Sequence, residues 1–510
     1  MKPFFSVRSC IFAEAVRTKI NCYCQNIFIN MENKDTELVL THSQKLAFER
    51  FTSFLDEDDI KVYILKGYAG TGKTTLVRKF IEEMNLRKLN FALLASTGRA
   101  AKILSNTTGF HAKTVHSEIY KFIDLNQDLA TVAEKKEQNL MDSTGQLFLN
   151  FDLWMRDDDG QEEKRFYIID EASMISDVDG QSATQAVFGS GRLLHDLLAF
   201  DKKAKFIFVG DACQLPPVNE TMSPALDADY FHNVFDEKAI ESELTQIVRQ
   251  GEDNDIVLSA QKVRHLYFAP QPWKWAKFPL KGYKNIHILD SQMELIAKYI
   301  ETVREHDFNA ATMICLTNRQ ASQVTQIVRP AFGHVGSLLE KGDLLLVTQN
   351  NLISGLMNGD LVVVEHVGEQ ERRAGLTFVK IIVKELFTQQ CYSQLLIAEV
   401  LYGNLTNITQ YQHRDLMIDF YYRMKEQKIS QKSDFFKVMM MEDPYLNALR
   451  AVFGYSLTCH KAQGGEWDTV FLDIARNVPA LTKPYVYQWV YTAMTRARKE
   501  LYVVKDFWLM

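Results

Sequence analysis

The sequence predicts an α/β chain built on parallel sheets, and three stretches carry that prediction. Residues 62–65 (Val-Tyr-Ile-Leu) form a short apolar run that enters Gly67-Tyr-Ala-Gly70-Thr71-Gly72-Lys73-Thr74, and helical spacing comes next at Leu76, Phe80 and Met84. Residues 166–169 (Phe-Tyr-Ile-Ile) run into Asp170-Glu171. Residues 205–209 (Lys-Phe-Ile-Phe-Val) end in Gly210-Asp211-Ala-Cys-Gln214-Leu-Pro-Pro. In a doubly wound sheet such runs are buried strands, and ligands gather at their carboxyl ends.

Each of the three has its own chemistry. Strand, glycine-rich turn and helix make up the GxxxxGK[ST] pattern, in which backbone N–H groups and a helix N-terminus converge on phosphate. Lys73 reaches the β- and γ-phosphates of a nucleoside triphosphate, and Thr74 holds Mg²⁺. Asp170 is placed to hold the same ion, and Glu171 to orient and deprotonate an attacking water. The turn at 210–217 reads either as plain architecture or as a γ-phosphate sensor, with Gln214 bonding phosphate or water and Asp211 holding the turn.

Composition removes several other classes. At ~150 residues per domain, 510 residues suggest about three or four domains. With 46% apolar and 24% charged residues, a fully disordered or collagen-like chain is excluded. The balance of 58 basic and 64 acidic side chains, a formal charge of −6, argues against coating nucleic acid by bulk charge, and leaves a local basic groove open. Seven cysteines without a CxxC pair suit reduced thiols in a cytoplasmic protein, not a disulfide framework or structural zinc. No uncharged apolar run reaches the ~18 residues of a spanning helix, so no membrane partner is expected. Residues 1–30 carry Lys2, Arg8, Arg17 and Lys19 against Glu14. A targeting role is the weaker reading; Met31 as natural start, or a loosely held extension, is the stronger.

The motifs together form an ordered series that resembles the RecD-like and Dda-like branch of superfamily 1 helicases. Thr41-His-Ser-Gln44 resembles the adenine-reading Q motif, and residues 67–74 motif I. Residues 95–101 (Ala-Ser-Thr-Gly-Arg-Ala-Ala) resemble motif Ia, with Ser96 where the family usually has proline, and Thr114-Val-His116-Ser117 resembles motif Ib. Residues 168–174 and 210–218 match motifs II and III. Residues 244–250 (Leu-Thr-Gln-Ile-Val-Arg-Gln) resemble the segment with the family's first arginine finger; residues 455–468 and 491–499 resemble motifs V and VI.

That resemblance implies two RecA-like P-loop domains with ATP between them. Domain 1A would take residues 31–110 and 166–250, and domain 2A residues 251–345 and 451–510. ATP would contact Gln44, Gly67, Gly70, Thr71, Gly72, Lys73, Thr74, Thr75, Gln463 and Gly464. Lys73, Asp170, Glu171 and Gln214 would be catalytic, with Mg²⁺ on Thr74 and Asp170. Arg249 and Arg496 would act as arginine fingers, the latter from across the cleft. Single-stranded and forked DNA would be the partner, held at Thr97, Arg99, Thr114, His116, Thr458 and His460, with 5′ to 3′ travel. A DNA-dependent ATPase inside a complex with nuclease or recombination proteins is the alternative. A small-molecule kinase with the same loop would need no finger-bearing second domain.

Two insertions complete the plan. Residues 111–165 exceed a minimal crossover. In them, 118–142 reads as helix and 146–154 as a strand, which either belongs to a strand-splitting pin in domain 1B or pairs with 166–169 as an edge hairpin. Residues 346–450 hold strand signals around Asn358-Gly359-Asp360 and resemble the SH3-like β-barrel of domain 2B, followed by helix over 412–441.

Overall fold

The computed structural model describes residues 40–138, 147–156, 164–180, 186–248, 254–403, 405–474 and 483–510. The extension at 1–30, Met31 and the finger candidate Arg249 lie outside the described residues.

Six parallel strands form the first sheet, in the order Ala112–Thr114, Asn90–Ala95, Arg165–Asp170, Lys205–Gly210, Val62–Gly67 and Ala239–Leu244. Val62, Tyr63, Ile64 and Leu65 are all fully buried, as a strand covered on both faces requires. One face is covered by the helices His42–Asp56 and Lys73–Leu86, through Phe51, Phe54, Phe80 and Met84. Five parallel strands form the second sheet, in the order Ile286–Leu289, Ala497–Val504, Trp467–Asp473, Ala311–Cys315 and Leu457–Thr458. These are the two parallel-sheet, P-loop-like domains, consistent with RecA-like folds.

The insertions make two further sheets. Leu344–Val347, Leu361–Arg373, Leu376–Glu385, Cys391–Ile397 and Ala451–Phe453 form a five-stranded antiparallel sheet. Its long central strands carry register shifts after Val364 and Val367, and its two ends meet at the bridge Leu396↔Leu449. The expected helix is present as two, Gln410–Glu426 and Asp434–Glu442.

Two expectations for the first insertion are corrected. Residues 118–142 are not one helix: Tyr120–Leu125 is a strand, between the helices Val115–Ile119 and Leu129–Glu137. The strand Leu149–Leu153 is no edge hairpin with 165–170. It pairs antiparallel with Tyr120–Leu125 and parallel with Ala186–Phe188, in a separate three-stranded sheet. The stacked rings of Phe151 and Phe188, 4.7 Å apart, and the edge contact of Phe122 with Phe151 make that pairing apolar. The two insertions also meet. Leu125, Leu129 and Leu147 pack with Met417, Phe420, Met424, Phe436 and Met440, and Leu129 N donates to Gln431 Oε1 at 2.8 Å.

Candidate active site and nucleic-acid interface

The phosphate loop starts where the strand Val62–Gly67 ends. Gly70 and Gly72 sit at φ +79° and +76°, a left-handed backbone that side chains resist. At 72 the space is closed as well, since a Cβ would fall 2.6 Å from Gln44 Nε2. The Gln44 amide is engaged at both ends: Oε1 accepts from Thr41 N at 3.0 Å, and Nε2 donates to Thr71 O at 3.1 Å. The Q-motif glutamine thereby fixes the loop as well as capping its own helix. Lys73 Nζ donates to Gly67 O at 2.6 Å and Tyr68 O at 3.3 Å, folded over the mouth of the loop.

Asp170 ends its strand beside this loop, and its Oδ1 accepts from Glu171 N at 2.9 Å. Burial, and then the Glu171 charge, push the Asp170 carboxyl up to about 6, while Lys73 pulls it down. Glu171 stands at φ +51°, a strained position of about 1–3 kcal/mol for a non-glycine residue. Among the described residues no three His, Cys, Asp or Glu side chains form a metal cage. The Thr74 hydroxyl and the Asp170 carboxylate are nonetheless the hard oxygen donors that Mg²⁺ takes when phosphates supply the rest of its shell.

The turn after the strand Lys205–Gly210 is where the second domain grips the first. Asp211 is fully buried; Cys213 N donates to its Oδ1 at 2.9 Å, and the Tyr491 hydroxyl to its Oδ2 at 2.7 Å. The same hydroxyl accepts from Ala69 N, inside the phosphate loop, at 3.0 Å. Leu215 N donates to Thr492 Oγ1 at 2.9 Å, Gln488 Nε2 to Gln214 O at 3.2 Å, and Gln463 Nε2 to Leu215 O at 3.3 Å. Gln214 Oε1 and Gln463 Oε1 are buried without a protein partner, so both predicted residues keep polar capacity for a ligand.

Arg496 is buried, and its guanidinium donates to Thr492 O at 3.1 Å and Gly465 O at 3.3 Å. Those partners all belong to its own domain. A different cation of the second domain touches the loop: Arg264, on the helix Asp255–Phe268, holds its guanidinium 3.5 Å from the centre of the Tyr68 ring. No motif pointed to Arg264, and Tyr491, the first residue of the segment resembling motif VI, had no role assigned to it.

The remaining predicted residues lie along the strand ends. Thr97 caps the helix Gly98–Thr108, accepting from Ala100 N at 3.2 Å, and Thr114 accepts from Ser117 N at 3.2 Å. Arg99 turns toward the second domain, with its guanidinium 4.6 Å from the Trp467 ring centre. A Cβ on Gly465 would fall 2.7 Å from Arg99 Cζ, so the glycine makes that approach possible. Burial pushes the Arg99 pKa down to about 10, against the pull of Asp360 and Glu385. The His116 ring packs on Tyr120 and Phe188. His460 is half-buried, and burial lowers its pKa, which keeps the ring neutral near pH 7. Thr458 lines a cleft with Asn318, Arg319, Gln326 and Lys461, none of them expected. The signal for Arg319 was present: Thr317-Asn-Arg319 repeats Thr97-Gly-Arg99, just as Thr458-Cys-His460 repeats Thr114-Val-His116.

Fold and site together define a P-loop nucleotide-binding protein with a second parallel-sheet domain closed against its loop. Residues 39–265 match the family described as AAA domain, and residues 453–504 the UvrD-like helicase C-terminal domain. The chain is 25% identical to the ATP-dependent RecD2 DNA helicase of Deinococcus radiodurans over 444 residues, which cover 87% of this chain and 46% of that protein. It is 38% identical to the ATP-dependent DNA helicase dda of Enterobacteria phage T4 over 99 residues, 19% of this chain and 22% of that one. A Pif1 helicase from Bacteroides, solved with ADP-AlF3 and ssDNA, aligns over 92% of this chain and 93% of its own, at 16% identity and a TM-score of 0.45. The chain spans less than half the length of the first curated relatives it matches. Two family models and two ATP-dependent DNA helicases thus match parts of this chain. Among the described residues, no helix is long and apolar enough to cross a membrane.

Proposed function

We propose that this chain is an ATP-driven helicase or translocase that moves along single-stranded DNA, 5′ to 3′, and opens forked DNA. The observation that carries this reading is the relay from Ala69 N–H through the Tyr491 hydroxyl to Asp211. It connects the phosphate loop, the motif III turn and the motif VI helix through one hydroxyl. A change at the phosphates is thereby felt by both domains.

In this reading Lys73 leaves the loop carbonyls to pair with the β- and γ-phosphates. Thr74 and Asp170 would hold Mg²⁺, which supplies charge neutralisation across those phosphates. Glu171 orients and deprotonates the water. Gln214 and Gln463 turn their unpartnered amide oxygens on the water or nucleotide. Arg496, with Arg249, stabilises charge on the transferring phosphoryl group, a contribution of about 10³–10⁵ in rate for such fingers. Thr97, Thr114, Thr458 and the cleft residues Arg319 and Lys461 hold phosphates and sugars, contacts that carry no sequence information. Part of 111–165 would serve as the pin, and the antiparallel sheet of the second insertion as an SH3-like module.

The test is strand separation on duplexes carrying a 5′ or a 3′ single-stranded tail, with and without ATP. ATP-dependent opening of the 5′-tailed duplex alone is expected. DNA-stimulated hydrolysis without opening of either would point to a motor subunit of a nuclease or recombination complex. Hydrolysis indifferent to DNA would defeat the reading.

A further inference from the structure

A groove separate from the nucleotide site and from the strand-end cleft is lined by Lys113, Ser117, Lys121, Trp154, Arg156 and Arg165, where the first insertion leaves the first sheet. Four of these six carry a positive charge, in a chain whose net charge is −6. Glu118, on the rim, pairs with Lys113 at 2.9 Å. Arg156 and Arg165 answer to no carboxylate at ion-pair distance among the described residues: Arg156 Nη1 donates to the Tyr167 hydroxyl at 3.3 Å, and Arg165 lies 5.6 Å from the Tyr167 ring centre. Arg165 Nε is buried without a protein partner. Trp154 is 44% exposed, and Lys121 Nζ covers its ring at 3.3 Å from the centre. An exposed indole beside cations offers a base a stacking face and its phosphate a positive charge.

The groove also extends the row of strand-end residues. Ser117 Oγ donates to Thr114 O, and Thr114 Oγ1 to Ser117 Oγ, both at 2.9 Å. Lys113 and Ser117, next to Thr114, line the same groove as Lys121 and Trp154. The cross-strand register Tyr120↔Leu153 and the bond from Trp154 N to Ile119 O (2.8 Å) hold the indole beside that exit.

We propose that this groove is a second single-strand binding segment, in which one base stacks on Trp154 and its flanking phosphates pair with Lys121, Arg156 and Arg165. This deepens the proposed function and rests on it. Lys121 moves off the ring as the base arrives and keeps its charge beside the phosphate. Its place beyond Thr114 lengthens the footprint without touching the nucleotide site.

The experiment compares wild type with Trp154→Ala and with Lys121→Ala/Arg156→Ala, on oligothymidylates of about 8 and about 20 nucleotides. Each variant is expected to bind the long oligonucleotide about fivefold or more weakly and the short one as wild type does. The double variant should also lower the slope of log affinity against log salt by roughly 0.7 for each lost phosphate. Trp154→Phe, which keeps a stacking face, should restore most of the long-oligonucleotide affinity. Equal losses on both lengths, no loss on either, or failure of phenylalanine to rescue while the fold is intact would overturn the proposal. Wild-type binding that does not strengthen with length would also overturn it. Failure of the wild type to bind either oligonucleotide would instead defeat the motor reading beneath it.

Discussion

The two parallel-sheet domains share one plan, and their differences show where the chemistry lives. In chain order, Val62–Gly67, Asn90–Ala95, Ala112–Thr114, Arg165–Asp170 and Lys205–Gly210 correspond to Ile286–Leu289, Ala311–Cys315, Leu457–Thr458, Trp467–Asp473 and Ala497–Val504, and the strands sit side by side in the same order. Even the register agrees. Ala95 stands opposite both Thr114 and Asp170, and Cys315 opposite both Thr458 and Asp473. The segment after the first strand differs. In the first domain it is the glycine-rich loop with Lys73; in the second it is Asp290-Ser291-Gln292. Asp473, the counterpart of Asp170, is buried and receives Gln292 Nε2 at 2.7 Å. A glutamine amide thus meets the carboxylate in the second domain, whereas Asp170 in the first accepts from the Glu171 backbone. One domain carries the glycine-rich loop; the other, with the same frame, brings Tyr491 and Arg264 to the edge of that loop and Thr492 to the turn at 210–217.

The sharpest contrast comes from disarming each domain in turn. Lys73→Ala should abolish ATP turnover and leave single-strand binding measurable. Gln292→Ala, at the matching place, should leave turnover per folded molecule unchanged. It should lower unfolding stability by about 1–3 kcal/mol through the unpartnered buried Asp473, measurable by urea titration. Turnover in Lys73→Ala would remove the 67–74 loop as the active site.

A smaller effect tests whether the shared strand ends do the same work. Arg99 and Arg319 both stand two residues after a capping threonine, yet Arg99 is turned onto Trp467 while Arg319 lines the cleft. Arg319→Ala should weaken single-strand binding about three- to tenfold and flatten its salt dependence by roughly 0.7 in log–log slope. Arg99→Ala should change the salt slope less and disturb domain closure more, read as lost stimulation of hydrolysis at saturating DNA. Equal salt slopes in the two variants would break the comparison.

Much of the first domain was legible because its strands are continuous apolar runs and its loop has a fixed spacing with a phosphate-binding reason behind it. Lys73 was read from the spacing of that loop, and Asp170 and Glu171 from the end of an apolar strand taken together with it. Less legible was Tyr120–Leu125, where Lys121 and Asp124 interrupt the apolar signal and the strand is fixed by Phe122 on Phe151, a contact from 29 residues away in sequence. Arg264, and the role of Tyr491 within the segment resembling motif VI, could not be found by local pattern, since both act on a loop more than 190 residues distant. The repeat of Thr-x-Arg and Thr-x-His was visible in the letters but needed the strand register to become an argument. Arg249 lies outside the described residues.

The central claim is that the reaction centre is completed by the second domain. Its most direct test is Arg496→Ala, with ATP affinity and single-turnover hydrolysis measured on the same DNA-bound protein. Hydrolysis slowed about 10³-fold or more, with ATP affinity within about tenfold of wild type, is the expected result. Equal losses in binding and hydrolysis would mark Arg496 as a ground-state anchor, and unchanged hydrolysis would contradict the composite site altogether.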